Sequence, residues 1–331
     1  MTKTKIGIVG ASGYSGQELI RLLLRHPGAD IVCFTSRQYS GRAVGEVFPA
    51  FRGLTDAKFV ESAPDAVAGD VVFLALPHGV AAEYAVALLT RGKRVIDLSA
   101  DFRLKSAATY KEFYEHDHPA PTLLTQAVYG LPERYRAEIK QAQLVACPGC
   151  YPTSIILGVL PVLSQANKIL VSSLSGVSGA GRKAAEEYLF AECNESARAY
   201  GVPKHRHLSE IEEQLGRTIS FTPHLVPLNR GIVSTIYIEP GVPDPLPLYR
   251  KFYLHERFVR VTERVEIACA SSIQSVPAAA PSFARISIRN ENRGAPLASL
   301  STGTTADSCR QPSVSWLVFG SKSTRRAPVT A

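Results

Sequence analysis

No run of about 18 apolar residues occurs in the 331-residue chain, so no stretch reads as a membrane-spanning helix. The start, Met1-Thr2-Lys3-Thr4-Lys5, has no apolar core and no small-residue cleavage site, so no signal peptide is expected. The six cysteines are too scattered for a disulfide framework, and the expected compartment is the reducing cytosol. Only Cys147 and Cys150 lie close together. Cys33, Cys193, Cys269 and Cys309 stand alone, so zinc would lack its second ligand pair and no metal is expected. The net charge is +8, but the basic residues are not interleaved with aromatics in one block. An anionic cofactor and an anionic substrate account for that charge better than nucleic acid does. There is no internal repeat, and no low-complexity segment before residue 275.

What is present is ordinary for a globular protein: 45% hydrophobic and 20% charged residues, with a length that suggests two domains. The first motif is a strand, Ile6-Gly7-Ile8-Val9, followed by Gly10-Ala11-Ser12-Gly13-Tyr14-Ser15-Gly16 and a helix with Leu19, Leu22 and Leu23 on one face. Glycines at these spacings let a backbone approach a pyrophosphate, and the helix N-terminus binds it. Gly10, Ser12, Gly13, Tyr14, Ser15 and Gly16 are therefore read as cofactor-binding. A second strand ends at Thr35, where an acid would hold the ribose 2′-hydroxyl of NAD. The sequence there is Ser36-Arg37-Gln38, so Ser36 and Arg37, with Arg42 nearby, predict a 2′-phosphate and hence NADP. Strands at 70–77, 93–99 and 143–146 alternate with helical patterns, and between 44 and 69 little helix is predicted beyond 64–67. The alternation predicts a doubly wound parallel sheet.

The stretch Ala146-Cys147-Pro148-Gly149-Cys150-Tyr151-Pro152-Thr153 precedes an apolar helix predicted over 154–163. Cys150 falls in its entry turn, where a helix N-terminus favours a thiolate. A Gly- and Ser-rich loop at 175–182 ends in Arg182. Its backbone N–H groups, hydroxyls and guanidinium suit a phosphate or carboxylate. His205-Arg206-His207-Leu208-Ser209-Glu210-Ile211 enters another helix. A strand at 233–238 alternates as in a mixed sheet.

Together these blocks resemble the N-acetyl-γ-glutamyl-phosphate reductases, relatives of aspartate-semialdehyde dehydrogenase. The resemblance runs from Lys5 to Val261 and rests on residues 10–16, 74–79, 97–103, 129–133, 147–153, 175–182, 205–211 and 221–232, in that order. It implies an α/β fold: a Rossmann-like NADP-binding domain over 1–149, then a catalytic, substrate and dimerisation domain over 150–261. The second is α+β with a mixed sheet, like that of glyceraldehyde-3-phosphate dehydrogenase. The implied activity is NADPH-dependent reduction of N-acetylglutamyl 5-phosphate to the semialdehyde, with release of phosphate, in arginine biosynthesis. Cys150 attacks the acyl carbon, and hydride reduces the thioester. His207, or alternatively His205, is the acid–base, with Glu210 as an orienting carboxylate. Pro77, Ser178 and Gly179 join the cofactor set. Arg103, Ser175 and Arg182 are expected to bind the anionic substrate. A cytoplasmic homo-oligomer, dimer or tetramer, is implied.

After Val261 the pattern departs from the family, whose Asp-Asn-Leu-x-Lys-Gly-Ala-like C-terminal segment is missing. Residues 262–331 are rich in Ala, Pro, Ser and Thr, a composition closer to disorder than to a core. Codons for 307–313 read one base later permit Asp-Asn-Leu, as in an out-of-frame ending. Two other readings stand beside the main one. One is a reductase of a related acyl phosphate, such as carrier-bound aminoadipyl phosphate in lysine biosynthesis. The other is an NADP-binding protein made inert by its tail.

Overall fold

A computed structural model describes residues 2–182 and 184–262 and, beyond them, the backbone of three strands. In chain order the elements are β1 (Thr4–Val9), α1 (Tyr14–Leu23), β2 (Ala29–Phe34), α2 (Val44–Val47), β3 (Val71–Leu74), α3 (Ala81–Thr90), β4 (Arg94–Asp97), α4 (Ala107–Tyr114), β5 (Val128–Tyr129), α5 (Pro132–Gln141) and β6 (Leu144–Ala146). There follow α6 (Cys150–Val159), β7 (Lys168–Gly176), α7 (Phe190–Cys193), β8 (Arg198–Ala199), α8 (His207–Leu215), β9 (Ser220–Val226), β10 (Ile232–Glu239), α9 (Leu246–Phe252), β11 (Val259–Thr262), β12 (Phe283–Arg289), β13 (Leu297–Gly303) and β14 (Ser313–Gly320). Two compact units divide the chain, Met1–Gly149 and Cys150–Ala331. No helix among the described residues is long and apolar enough to cross a membrane.

The first unit is a parallel sheet in the order β2-β1-β3-β4-β6-β5. Its connections leave β1 in opposite directions, so a crevice opens at the carboxyl end of β1, where the glycine turn begins. Helix α1 buries Gly16 and Ile20, with Leu19 and Leu23 partly covered, while Leu22 is exposed. The predicted Leu19, Leu22 and Leu23 face is thus corrected: the helix packs so closely at Gly16 that the inward stripe passes through Ile20. Short helical turns at Val44–Val47 and Pro49–Phe51 also lie in the connection where little helix was predicted.

Helix α3 has no side-chain cap of its own. The Asp101 carboxylate, just past β4, accepts from Gly79 N (2.7 Å) and Ala82 N (3.0 Å) instead. That supplies partners for amides a helix start leaves bare, and it fixes the turn after Pro77.

The second unit is a mixed sheet in the order β11-β12-β13-β14-β10-β7-β9-β8, with β7 and β9 parallel and β7 and β10 antiparallel. Strands β12, β13 and β14 lie in the segment whose composition is closer to disorder than to a core. The rest of 263–331, including residues 307–312 of the frame reading, lies outside the described residues.

Helix α6 starts four residues earlier than predicted, at Cys150. Pro152 is tolerated because a first-turn residue needs no N–H partner. The next proline, Pro161, cannot donate to the Leu157 carbonyl, and the helix tightens into a 3-10 turn over Leu160–Gln165. Tyr253 Oη donates to the Leu157 carbonyl at 2.5 Å, and Tyr249 Oη to that of Gly158. Underneath, Ser154 Oγ meets Ser234 Oγ (3.3 Å), which meets Ser173 Oγ (2.5 Å), tying α6 to β10 and β7. Removing one partner leaves a buried carbonyl bare. Tyr253→Phe should therefore cost about 1–3 kcal/mol in urea unfolding, and an unchanged midpoint would show that water replaces the phenol.

Candidate active site

In the first unit the glycine turn is tied to the end of β2. Gly10 N donates to Thr35 Oγ1 (3.2 Å), Ala11 N to Thr35 O (2.9 Å), and Ser12 Oγ lies 2.9 Å from Ser36 Oγ. Gly10 has φ +76, and a Cβ there would stand 2.4 Å from Ala75 O. At Gly16 a Cβ would stand 2.5 Å from Gly10 O. Only glycine fits either position, and the groove so formed admits a pyrophosphate against the start of α1. Gly13, Tyr14 and Ser15 form the rest of the turn into α1, with Tyr14 and Ser15 exposed. Ser36 is buried and also accepts from Tyr39 N (3.2 Å). Arg37 is exposed and is held by no ion pair among the described residues, whereas Arg42 lies over Tyr39 and 3.8 Å from Glu46. Arg37 is thus the cation available at the end of β2. Pro77 is exposed at the carboxyl end of β3.

Arg103 is partly engaged by the backbone. It is buried, Nε donating to Cys147 O (2.8 Å) and an Nη to Leu98 O (2.9 Å). It clamps the strand end before the cysteine turn.

The two cysteines have opposite surroundings. Cys147 is half-buried as a residue, but its thiol is enclosed. Burial first, and then the charge of Asp97, push its pKa up to about 12 against the pull of Arg103. It is a thiol, not a thiolate, at neutral pH. Cys150 is exposed and is the first residue of α6.

In the second unit, aromatic rings and imidazoles gather around the residue after Cys150. The Tyr151 ring lies 5.6 Å from that of His205, 6.0 Å from His207 and 5.2 Å from Phe221. His205 and His207 are 5.0 Å apart. The helix predicted from His205 begins at His207, because His205 Nδ1 accepts the His207 backbone N–H (3.1 Å). Burial, and secondarily Arg206, lower the His205 pKa to about 4. His205 is therefore neutral at neutral pH with one nitrogen engaged, which leaves His207 as the stronger acid–base candidate. Glu210, buried, follows His207 by three residues on α8 and shares its face.

The 175–182 loop is braced along its first residues. Gly176 N, Val177 N and Ser178 N donate to Gly231 O, Leu228 O and Asn229 O at 2.8–3.0 Å. These amides brace the loop on its neighbour and are not turned toward an anion. Ser175 is buried, and its Oγ donates to Gly176 O (3.2 Å) beside Tyr151. Ser178 and Gly179 lie in a short 3-10 turn, and Arg182 is exposed beyond it. Tyr200, whose hydroxyl lies 2.9 Å from that of Tyr151, was not singled out from the sequence. Forty-nine residues separate the pair, and no periodic signal links them.

Residues 5–142 match the model of the semialdehyde dehydrogenase NAD binding domain, and residues 150–301 that of the semialdehyde dehydrogenase dimerisation domain. The chain belongs to the semialdehyde dehydrogenase family, and its first unit is built for a nicotinamide cofactor. Within that family it belongs with the N-acetyl-gamma-glutamyl-phosphate reductases. It is 56% identical to that of Akkermansia muciniphila over 293 residues, 82% of this chain and 84% of the relative. It is 44% identical to that of Saccharophagus degradans over 287 residues, 82% and 83% of the two chains. Solved structures share the fold. Aspartate semialdehyde dehydrogenase II of Vibrio cholerae, complexed with ASA, has a TM-score of 0.62 at 13% identity, covering 88% of this chain and 90% of that one. The Candida albicans enzyme with NADP has a TM-score of 0.61 at 14% identity, covering 88% and 91%.

Iodoacetamide near neutral pH should label Cys150 and spare Cys147, as read by peptide mass. Preferential labelling of Cys147 would reverse the assignment. For His205 the folded pKa lies below the unfolded value of about 6.5. The unfolded chain therefore binds the proton first, and stability should fall as pH drops from about 6.5 toward 4. His205→Gln should flatten that slope in pH-dependent thermal melts, and an unaltered slope would refute the buried-neutral state.

Proposed function

We propose that the chain reduces N-acetyl-γ-glutamyl phosphate to N-acetylglutamate semialdehyde and phosphate, through a thioester on Cys150. The observation that carries this reading is the exposed cysteine at the first residue of α6, in the unit whose Tyr151 packs against His205 and His207, while the neighbouring thiol is held protonated. The names of the relatives favour this acyl phosphate over other acyl phosphates.

The Cys150 thiolate attacks the acyl carbon, and phosphate leaves with the electrons of its C–O bond. His207 takes the thiol proton and later returns a proton to the alkoxide oxygen, with Glu210 orienting the imidazole. Bound NADPH supplies the hydride that reduces the thioester carbon. Collapse of the thiohemiacetal releases the aldehyde and restores Cys150. Gly10, Ser12, Gly13, Tyr14, Ser15 and Gly16 cradle the cofactor pyrophosphate, and Pro77, Ser178 and Gly179 are the other residues assigned to the cofactor. Arg182 receives the anionic end of the substrate.

NADP is favoured over NAD because Arg37 is an uncommitted cation where an acid would otherwise stand. Free thiols at Cys33, Cys147, Cys150 and Cys193 fit the reducing cytosol. The partner is a second copy. On β7 and β10 the face carrying Ser173 and Ser234 binds α6, and the opposite face leaves Leu174 and Tyr237 39% and 41% exposed. That open face, in a unit matching a dimerisation domain, is where the copies meet.

Mixing the protein with NADP⁺, phosphate and N-acetylglutamate semialdehyde should generate the absorbance of the reduced cofactor, and Cys150→Ser should abolish it. Nucleotide binding without turnover would favour an inert NADP-binding protein. Turnover with a related acyl phosphate alone would move the substrate assignment. Arg37→Asp should raise KM for NADPH far more than for NADH. Equal loss for both would overturn the NADP assignment.

A further inference from the structure

A chain of hydroxyls runs away from the glycine turn. Gly10 N donates to Thr35 Oγ1 (3.2 Å), Thr35 Oγ1 lies 3.2 Å from Ser62 Oγ, and Ser62 Oγ lies 3.3 Å from Tyr84 Oη. Tyr84 Oη ends the chain on the Ser62 carbonyl at 2.5 Å. The chain joins the turn, the end of β2, the segment bridged to it at Val60, and α3. Thr35 and Tyr84 are buried. The Thr35 backbone is fixed as well, its N–H donating to Ile8 O (2.9 Å) and its carbonyl accepting from Ala11 N (2.9 Å).

The direction of each bond follows from the last one. A carbonyl cannot donate, so the Tyr84 proton lies on the Ser62 carbonyl. That is the only proton a phenol has, so Tyr84 Oη accepts from Ser62 Oγ. Ser62 has then spent its own proton and accepts from Thr35 Oγ1. Thr35 Oγ1 in turn accepts the Gly10 N–H. All the bonds run one way, from the turn toward α3, and each polarises the next. The amides of Gly10, Ala11 and Gly13 are bonded within the protein, the last to Gly10 O at 3.1 Å. They shape the turn, and the pyrophosphate is left to the start of α1. Helix α1 has no side-chain cap of its own, and Gly10 and Gly13 have no side chains to hold the turn.

We propose that Thr35 is a positioning residue for the cofactor: its hydroxyl, ordered through Ser62 and Tyr84, holds the glycine turn in the shape that receives the pyrophosphate. This rests on the turn receiving a nicotinamide dinucleotide. Thr35 acts through Gly10 and not on the substrate. Its effect therefore falls on binding of the dinucleotide and not on the chemical step. It falls equally on NADPH and NADH, because both carry the same pyrophosphate. Arg37, at the 2′-phosphate end, separates the two nucleotides instead.

Thr35→Val keeps the branched shape and removes the hydroxyl, which leaves the Gly10 N–H bare. Titration with NADPH and with NADH, followed by fluorescence of the reduced nicotinamide, should show Kd for both raised about tenfold over the wild type. Thr35→Ser should restore both. In the assay with NADP⁺, phosphate and N-acetylglutamate semialdehyde, KM for NADP⁺ should rise while kcat at saturating NADP⁺ holds. Unchanged Kd values would overturn the proposal. So would a fall in kcat with no rise in KM, which is the mark of lost folded protein. A rise for NADPH alone would also overturn it, since the hydroxyl would then serve the 2′-phosphate end. Should Thr35→Val not fold, Tyr84→Phe decides. It leaves the Gly10 partner in place but unties Ser62, and both Kd values should rise about threefold; unchanged values there overturn the proposal. A wild type that binds neither nucleotide would sink the cofactor reading, whereas equally tight binding by wild type and variants sinks this proposal alone.

Discussion

Everything reactive in this chain depends on where helix α6 begins. A helix start leaves backbone N–H groups bare, and a side chain at that point lies in their field. Cys150 occupies that position, and Pro152 can follow because the first turn does not need its N–H. The Ser154, Ser234 and Ser173 hydroxyls hold the helix to the sheet, and Tyr249 and Tyr253 seal the carbonyls its far end leaves unpaired. The thiol is therefore carried on a rigid support, not on a loop.

The same economy of backbone partners runs through the first unit. Asp101 caps α3 from the end of the adjacent strand, and Arg103 clamps the carbonyls of Leu98 and Cys147. Both side chains stand at the carboxyl ends of the strands, where ligands bind in such folds. Both also fix turns. A charged residue at a functional edge is not thereby a ligand, because buried backbone groups compete for it.

Burial separates pairs of chemically identical groups. Cys147 and Cys150 are three residues apart, but one is an enclosed thiol beside a carboxylate and the other is open at a helix start. His205 and His207 are two residues apart, but His205 is packed among Tyr151, Tyr200 and Phe221 and stays neutral. Environment, not residue type, assigns the roles.

The sequence by itself determined the parallel sheet, the glycine turn, the missing acid at the end of β2, and Cys150 as the helix-entry cysteine. Each of these is a local signal: strand periodicity, glycine spacing, a charge at a strand end, or an apolar run after a turn. What only the tertiary structure decided needed partners distant in sequence. Ser175 turned inward to Tyr151, Arg103 spanned to Cys147, and the amides of the 175–182 loop were claimed by carbonyls between Leu228 and Gly231. Tyr200 came to lie against Tyr151 only because β8 pairs with β9. A sequence shows which groups can donate or ionise. Which of them are already satisfied depends on contacts between residues tens of positions apart, and those exist only once the chain has folded.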